Sequence, residues 1–294
     1  MVFRDGTRAA GVTQAAPRMI TVGGPDLLVL DVKNVLWRWR PADDTGRGTT
    51  TIVKIIGSAE WGDDLRAIGT FVRDASAGLY NFYVVDPSEQ NILAYSPSRD
   101  GSGFPSDPQP RLAVNRSMAG VTDLVIDGNI FVADDGTLVR FVGGRSEGWE
   151  LQPPGATGFA PEGDILLRPA PSYEHIASNV DARTGLIYAW DRTSSRVVAI
   201  DKAKGTFVEQ YRLAGGSTAW QDVRAMYVVA PAEAGGPATL VWVTQEALMS
   251  AVLEGVPDEP VASPGPSSSS GPAGAPSAAP SAGAAPSSRA SAAP

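Results

Sequence analysis

The chain alternates between short apolar runs and polar turns, and the runs come in pairs. The clearest pair is Phe82-Tyr83-Val84-Val85-Asp86 and, after Pro87-Ser88-Glu89-Gln90, Ile92-Leu93-Ala94-Tyr95. An uninterrupted apolar run of this length is the pattern of a strand buried on both faces. The proline and small polar residues between the runs favour chain reversal. The pair therefore predicts a β-hairpin. Four more copies keep the same order. Leu27-Leu28-Val29-Leu30-Asp31 precedes Val35-Leu36-Trp37-Arg38-Trp39, and Ile130-Phe131-Val132-Ala133-Asp134 precedes Leu138-Val139-Arg140-Phe141. Ile187-Tyr188-Ala189-Trp190-Asp191 precedes Val197-Val198-Ala199-Ile200, and Leu240-Val241-Trp242-Val243-Thr244 precedes Ala247-Leu248-Met249-Ser250-Ala251. The unit recurs about every 50 residues, the spacing of a repeat architecture. The second strand is more mixed, with Arg38, Arg140 and Ala199 interleaved, as expected nearer an outer edge.

Weaker strands flank the hairpins. Asp64-Leu65-Arg66-Ala67-Ile68 matches Asp222-Val223-Arg224-Ala225-Met226, with Asp123-Leu124-Val125-Ile126 and Arg18-Met19-Ile20 as further copies. Fourth strands are predicted at 51–56, 111–114 and 207–213. Four antiparallel strands per repeat, none able to bury both faces alone, predict an all-β fold: a β-propeller of four-stranded antiparallel blades. Five units are visible, so the ring is five-bladed or an incomplete six-bladed one. A β-sandwich would lack the unit, and a helical solenoid would need long amphipathic helices. The helix candidates, such as Glu246 to Leu253, are short and lie inside the repeat. The strand-like Met1-Val2-Phe3-Arg4 either completes the last blade and closes the ring, or begins the C-terminal portion of a longer protein.

The periodicity stops near residue 257. The remainder, 258–294, is almost wholly Pro, Ala, Ser and Gly. It has too little apolar surface to offset the entropy of ordering and is predicted as a disordered tail, a tether or an inert end. The propeller domain is thus placed at 1–257. Within it, 43% hydrophobic residues and a rich set of aromatics over the whole chain are sufficient for a large β core. The net charge of −8 argues against a nucleic-acid partner and against adsorption to an anionic membrane. With no cysteine there are no disulfides, thiolate metal sites or cysteine nucleophiles. No signal-peptide core and no apolar run of membrane-spanning length occur, so the chain as given reads as soluble, with its compartment open.

Candidate chemistry is sparse. The single histidine, His175, excludes a metal site with paired histidines and stands as a lone general-base candidate or an ordinary residue of a loop or strand start. No Gly-x-Ser-x-Gly elbow occurs. Asp31, Asp86, Asp134 and Asp191 close the first hairpin strand of four units, either as a ring of cation-binding carboxylates or as turn caps. Asp64, Asp123 and Asp222, with Arg66 and Arg224, fall on the predicted innermost strands. There they form a cation or polar-ligand site at the channel mouth, or inter-blade Asp–Arg pairs. Trp61 and Trp220 precede the matching acids and are either exposed ligand anchors or wedges between blades. Asp43 to Gly48, Arg99 to Gly103 and Gly143-Gly144 read as turns, without the spacing of a calcium or nucleotide loop. No cofactor is predicted.

On its apolar-run, Asp, turn and strand unit, over roughly residues 18 to 256, the chain resembles the NHL, YVTN and SMP-30-like propeller superfamily. No Gly-His and Trp-Asp pairing recurs, so the WD40 pattern is not met; Trp190-Asp191 occurs once. The resemblance implies a non-catalytic sensor or interaction module binding a protein, peptide or small polar ligand, as part of a bacterial envelope or signalling protein. It equally admits an SMP-30-like hydrolase or lactonase with a cation held by Asp64, Asp123 and Asp222. A third implication is the C-terminal part of a signalling enzyme such as a PPM-type phosphatase. A fold of this kind does not by itself imply a function.

Overall fold

The computed structural model describes residues 8–43, 47–147, 171–178, 185–213, 218–229 and 236–253. The chain divides into two units, Met1–Gly255 and Val256–Pro294. The predicted tail and Met1-Val2-Phe3-Arg4 lie outside the described residues.

Five antiparallel sheets follow one another along the chain. Blade I comprises β3 (Pro17–Gly23), β4 (Asp26–Asp31), β5 (Leu36–Pro41) and β6 (Gly48–Ile55). Blade II comprises β7 (Ala67–Asp74), β8 (Leu79–Asp86), β9 (Asn91–Tyr95) and β11 (Gln109–Pro110). Blade III runs β12 (Val121–Ile126), β13 (Ile130–Asp134), β14 (Thr137–Val142) and β15 (Arg145–Glu147). Blade IV runs β16 (Tyr173–Ala177), β17 (Leu186–Asp191), β18 (Arg196–Asp201) and β19 (Phe207–Tyr211). Blade V has three strands among the described residues, β20 (Ala225–Val229), β21 (Thr239–Val243) and β22 (Leu248–Val252). A short hairpin, β1 (Arg8–Ala9) with β2 (Val12–Thr13), precedes blade I, and β10 (Gly103–Phe104) joins the outer edge of β6 in parallel.

Among the described residues, four hydrophobic cores lie between successive blades. Leu28, Leu30 and Leu36 of blade I meet Phe82, Val84 and Leu93 of blade II. Tyr83, Val85 and Ile92 meet Leu124, Ile126 and Val132 of blade III. Phe131 and Ala133 meet Ile176, Ile187 and Ala189 of blade IV. Tyr188, Trp190 and Val197 meet Val228, Leu240 and Trp242 of blade V. Successive residues of one strand point to opposite faces, so alternate residues of each hairpin's first strand serve alternate cores. That is why these strands are apolar without interruption. The innermost strands pack in the order β3, β7, β12, β16, β20, and the protein is a five-bladed β-propeller. Among the described residues no comparable packing joins β20 back to β3.

The hairpin strands lie where the sequence places them; several flanking elements differ. The inner strands of blades II and V begin at Ala67 and Ala225, so Asp64, Arg66, Asp222 and Arg224 sit in the entering loops. The fourth strand of blade II is Gln109–Pro110, ahead of the predicted 111–114. Glu246 to Leu253 is no helix, because Leu248–Val252 pairs antiparallel with β21. The described N-terminal residues do not complete blade V. β1 pairs with β2 and packs against β6, and Ala15 and Ala16 bond back to blade I at Asp31 and Val32.

Candidate functional site

The recurring aspartates are structural. Asp31 is buried and accepts bonds from the turn amides of Lys33 and Val35, from Trp37 Nε1 at 3.0 Å, and from the Ala15 amide upstream. Asp86 accepts the Ser88 amide and hydroxyl and the upstream Gly62 amide. Asp191 accepts the Thr193 amide, Arg196 Nε at 2.8 Å and the upstream Ser172 amide. Each carboxylate thus closes its turn and also straps down the loop entering its own blade. Asp134 departs from this pattern and is held by Arg116; burial raises its pKa, Arg116 lowers it, and the net shift is upward. With their oxygens so engaged, these four acids do not form a cation ring.

The predicted channel acids do not converge. Asp64 pairs with Arg66 of its own loop at 2.6 Å, and Asp222 with Arg224 at 2.8 Å; Asp64, Asp222 and Arg224 are well exposed and Arg66 is half-buried. These are Asp–Arg pairs as anticipated, but they join residues two apart and not neighbouring blades. Asp123 is separate, accepting the Leu124 and Ile176 amides and standing 3.5 Å from His175. Among the described residues no three His, Cys, Asp or Glu side chains gather to hold a metal ion. Trp61 and Trp220 are not exposed anchors. Trp61 is buried between blades I and II, donating to Tyr95 Oη at 2.6 Å. Trp220 is buried between blades IV and V, edge-on to Trp242, with its carbonyl accepting Trp190 Nε1. Both are wedges because a loop indole is the largest apolar group available to fill the taper between neighbouring sheets.

His175, on the innermost strand of blade IV, reaches two other blades. Its Nε2 lies 3.1 Å from the Val223 carbonyl beside blade V, its Nδ1 faces Asp123 of blade III, and its ring stacks on Trp190. Burial pulls the imidazole pKa down, but Asp123, Glu174 and the Val223 carbonyl more than offset it, so the net shift is upward.

The least expected surface is the outer face of blade V. Tyr227 (50% exposed), Val229 (44%), Val243 (38%), Leu248 (72%) and Val252 (51%) share it. The registers Ala225↔Val243↔Leu248, Tyr227↔Val241↔Ser250 and Val229↔Thr239↔Val252 make the face continuous and leave it without a charged residue. The equivalent face of blade IV carries Ala177, Tyr188, Trp190 and Val197, all buried against blade V. The face therefore has the composition of an inter-blade surface, and among the described residues no blade packs on it. Sequence reasoning missed it because the apolar alternation of the last unit matches that of buried ones. A second, shallower feature is a groove of about 700 Å³ beside β6 and β10, lined by Ile52, Lys54, Ile56, Ser102 and Phe104 among others. No described helix is long and apolar enough to cross a membrane.

No protein-family model matches the chain, and no curated protein matches it. Solved structures similar to it include the Cps50 (Swd1) β-propeller domain of Myceliophteria thermophila, at 10% identity and a TM-score of 0.40, covering 78% of this chain and 67% of that one. Others are a chain of a nidogen/laminin complex, at 14% identity and 0.42 over 68% and 65%, and a chain of BBS1N in complex with ARL6DN, at 13% and 0.42 over 81% and 64%. The chain spans about two thirds of the length of these structures. Likeness at this level carries no argument about function, and the propeller architecture rests on the sheet order and the four inter-blade cores.

Proposed function

We propose that the chain is a non-catalytic interaction propeller and that the outer face of blade V is its docking surface. Its occupant is an apolar sheet face of another protein. The observation that carries this reading is the continuous, charge-free apolar surface of Tyr227, Val229, Val243, Leu248 and Val252. Exposed apolar surface that is contiguous, rather than scattered, marks interaction sites. The face also continues the chemistry by which each earlier blade holds the next, so a β-sheet is the complementary shape. Among the described residues β22 is the outer strand of its sheet, and its edge adds backbone donors and acceptors that a partner strand can pair. Arg224 and Asp222, exposed just before β20, supply a polar rim of the kind that surrounds apolar interface cores. The rival lactonase reading finds no support in the placement of Asp64, Asp123 and Asp222, which bind separate partners.

The test is residue-specific photo-crosslinking. A photoreactive amino acid in place of Tyr227 is expected to give protein adducts that Leu248→Asp removes, while the same reagent in place of exposed Arg73 gives none. Equal labelling at both positions overturns the reading. Adducts of twice the chain mass with purified protein alone would make a second copy the occupant.

A further inference from the structure

His175 is the only histidine in the chain, and its ring lies where three blades meet. Both ring nitrogens face acceptors. Nε2 is 3.1 Å from the Val223 carbonyl, which belongs to the loop entering blade V. Nδ1 is 3.5 Å from Asp123 Oδ2 on β12 of blade III, and the same oxygen also accepts the amide of Ile176. A neutral imidazole carries one N–H, so it can satisfy one of these acceptors and must turn a lone pair toward the other. An imidazolium donates to both.

We propose that His175 is a protonation-dependent clamp that fastens blade V to blades III and IV. The device stands on this geometry alone; its consequence, that pH controls the presentation of the blade V docking face, rests on the function proposed above. The charges around the ring support it. Asp123 faces it from β12, and Glu174 acts from its own strand while pairing with Arg192 at 2.6 Å. On the other packed strands, Asp134 of β13 is held by Arg116 and Asp191 of β17 by Arg196. Ahead of β20, Asp222 and Arg224 flank Val223 and pair with each other, and Tyr227 lies on the exposed face. Asp123 and Glu174 are thus the charges that act on the ring, and both favour its protonated form.

The sign follows. A histidine whose folded pKa exceeds its unfolded one contributes stability in full below the unfolded pKa and loses it as pH rises through the folded pKa. Blade V is therefore held on the acidic side and loosened on the alkaline side of the ring's titration. A neutral ring keeps its N–H toward the Asp123 carboxylate, the stronger acceptor, so the contact released is the one to Val223.

The experiment uses the full chain. With histidine ¹³C-labelled at Cε1, the single ring signal gives the titration without assignment. Hydrogen exchange of Val223–Val229, corrected for intrinsic rates, gives the attachment of blade V over the same pH range. The expected result is a pKa above that of a free histidine and a loss of protection of about tenfold across it, the worth of one charge-assisted hydrogen bond. His175→Gln should abolish the pH step, and Asp123→Asn, which keeps the shape of the acid, should move it to lower pH. A ring pKa at or below the ordinary value, or an unchanged step in His175→Gln, overturns the clamp. If the step is present while crosslinking from position 227 fails at every pH, the clamp holds and the docking function falls.

Discussion

At the level of single residues, the aspartate that ends the first hairpin strand of blades I, II and IV does more than turn chemistry. Asp31 lies among four donors, one of them the buried indole of Trp37. Asp31→Ala would leave the buried Trp37 indole and three partly buried amides without their acceptor, and should cost about 1–3 kcal/mol, read as a lower urea midpoint at unchanged slope. The turn-capping half of this role is legible in the sequence, because the amides involved lie two to four residues away. The strapping half is not, since its donors lie 16, 24 and 19 residues upstream. The turns themselves contain strain. Gln90 and Ser195 adopt φ of 52° and 47°, in the left-handed region that disfavours residues with a Cβ. Ser195→Gly removes that crowding and should stabilise by about 0.5–1 kcal/mol, although glycine's freer unfolded state offsets part of the gain. Thermal unfolding should register this as a small upward shift in Tm.

At the level of elements, a strand shared between two cores makes each hairpin cooperative with both neighbours. Phe82 and Val84 fill one core while Tyr83 and Val85 fill the next. The wedging tryptophans belong to the same logic. Trp220→Ala would open a cavity against Trp190 and Trp242 and should cost about 3–5 kcal/mol by denaturant titration. Exposed Leu248→Asp should stay within about 0.5 kcal/mol of the parent protein. The contrast between these two substitutions separates a packed interface from an open one. The hairpin strands were legible because burial on both faces leaves an uninterrupted apolar run. The inner strands were read less well, because their ends are set by partners on other blades. Arg18 bonds the Leu65 carbonyl, and Thr122 the Glu174 carbonyl. β16 was hidden for the same reason, its Tyr173-Glu174-His175 being polar toward neighbours that no local pattern reveals. β10 was invisible because two loop residues made a strand only by meeting Lys54–Ile55.

At the level of the whole molecule, hydrophobic cores between blades are joined by polar links that span them. Asp26 of blade I is buried, bonded twice to Arg40 and once to Tyr80 of blade II. Between blades III and IV, Lys202 Nζ stands 2.9 Å from Asp127 Oδ2 with both side chains fully buried, while Arg140 Nη1 reaches the carbonyls of Lys202 and Ala203. Such a pair has a large desolvation cost, so its presence is weak evidence that it stabilises; what it enforces is that neither partner can be lost alone. Lys202→Met leaves a carboxylate buried without its counter-ion and should destabilise by about 3–5 kcal/mol. Asp127→Leu alone should cost a similar amount for the mirror reason. The double substitution removes both charges, and Arg140 keeps its bonds because they go to backbone oxygens. It should therefore recover most of the loss, with a coupling energy of several kcal/mol in the cycle of four urea titrations. Simple additivity would mean that the two charges do not depend on one another. In an array of stacked blades, the same cycle also reports cooperativity. A blade III–IV interface weakened by several kcal/mol should uncouple blades IV and V from the rest and turn one unfolding transition into two, unless the double variant restores it.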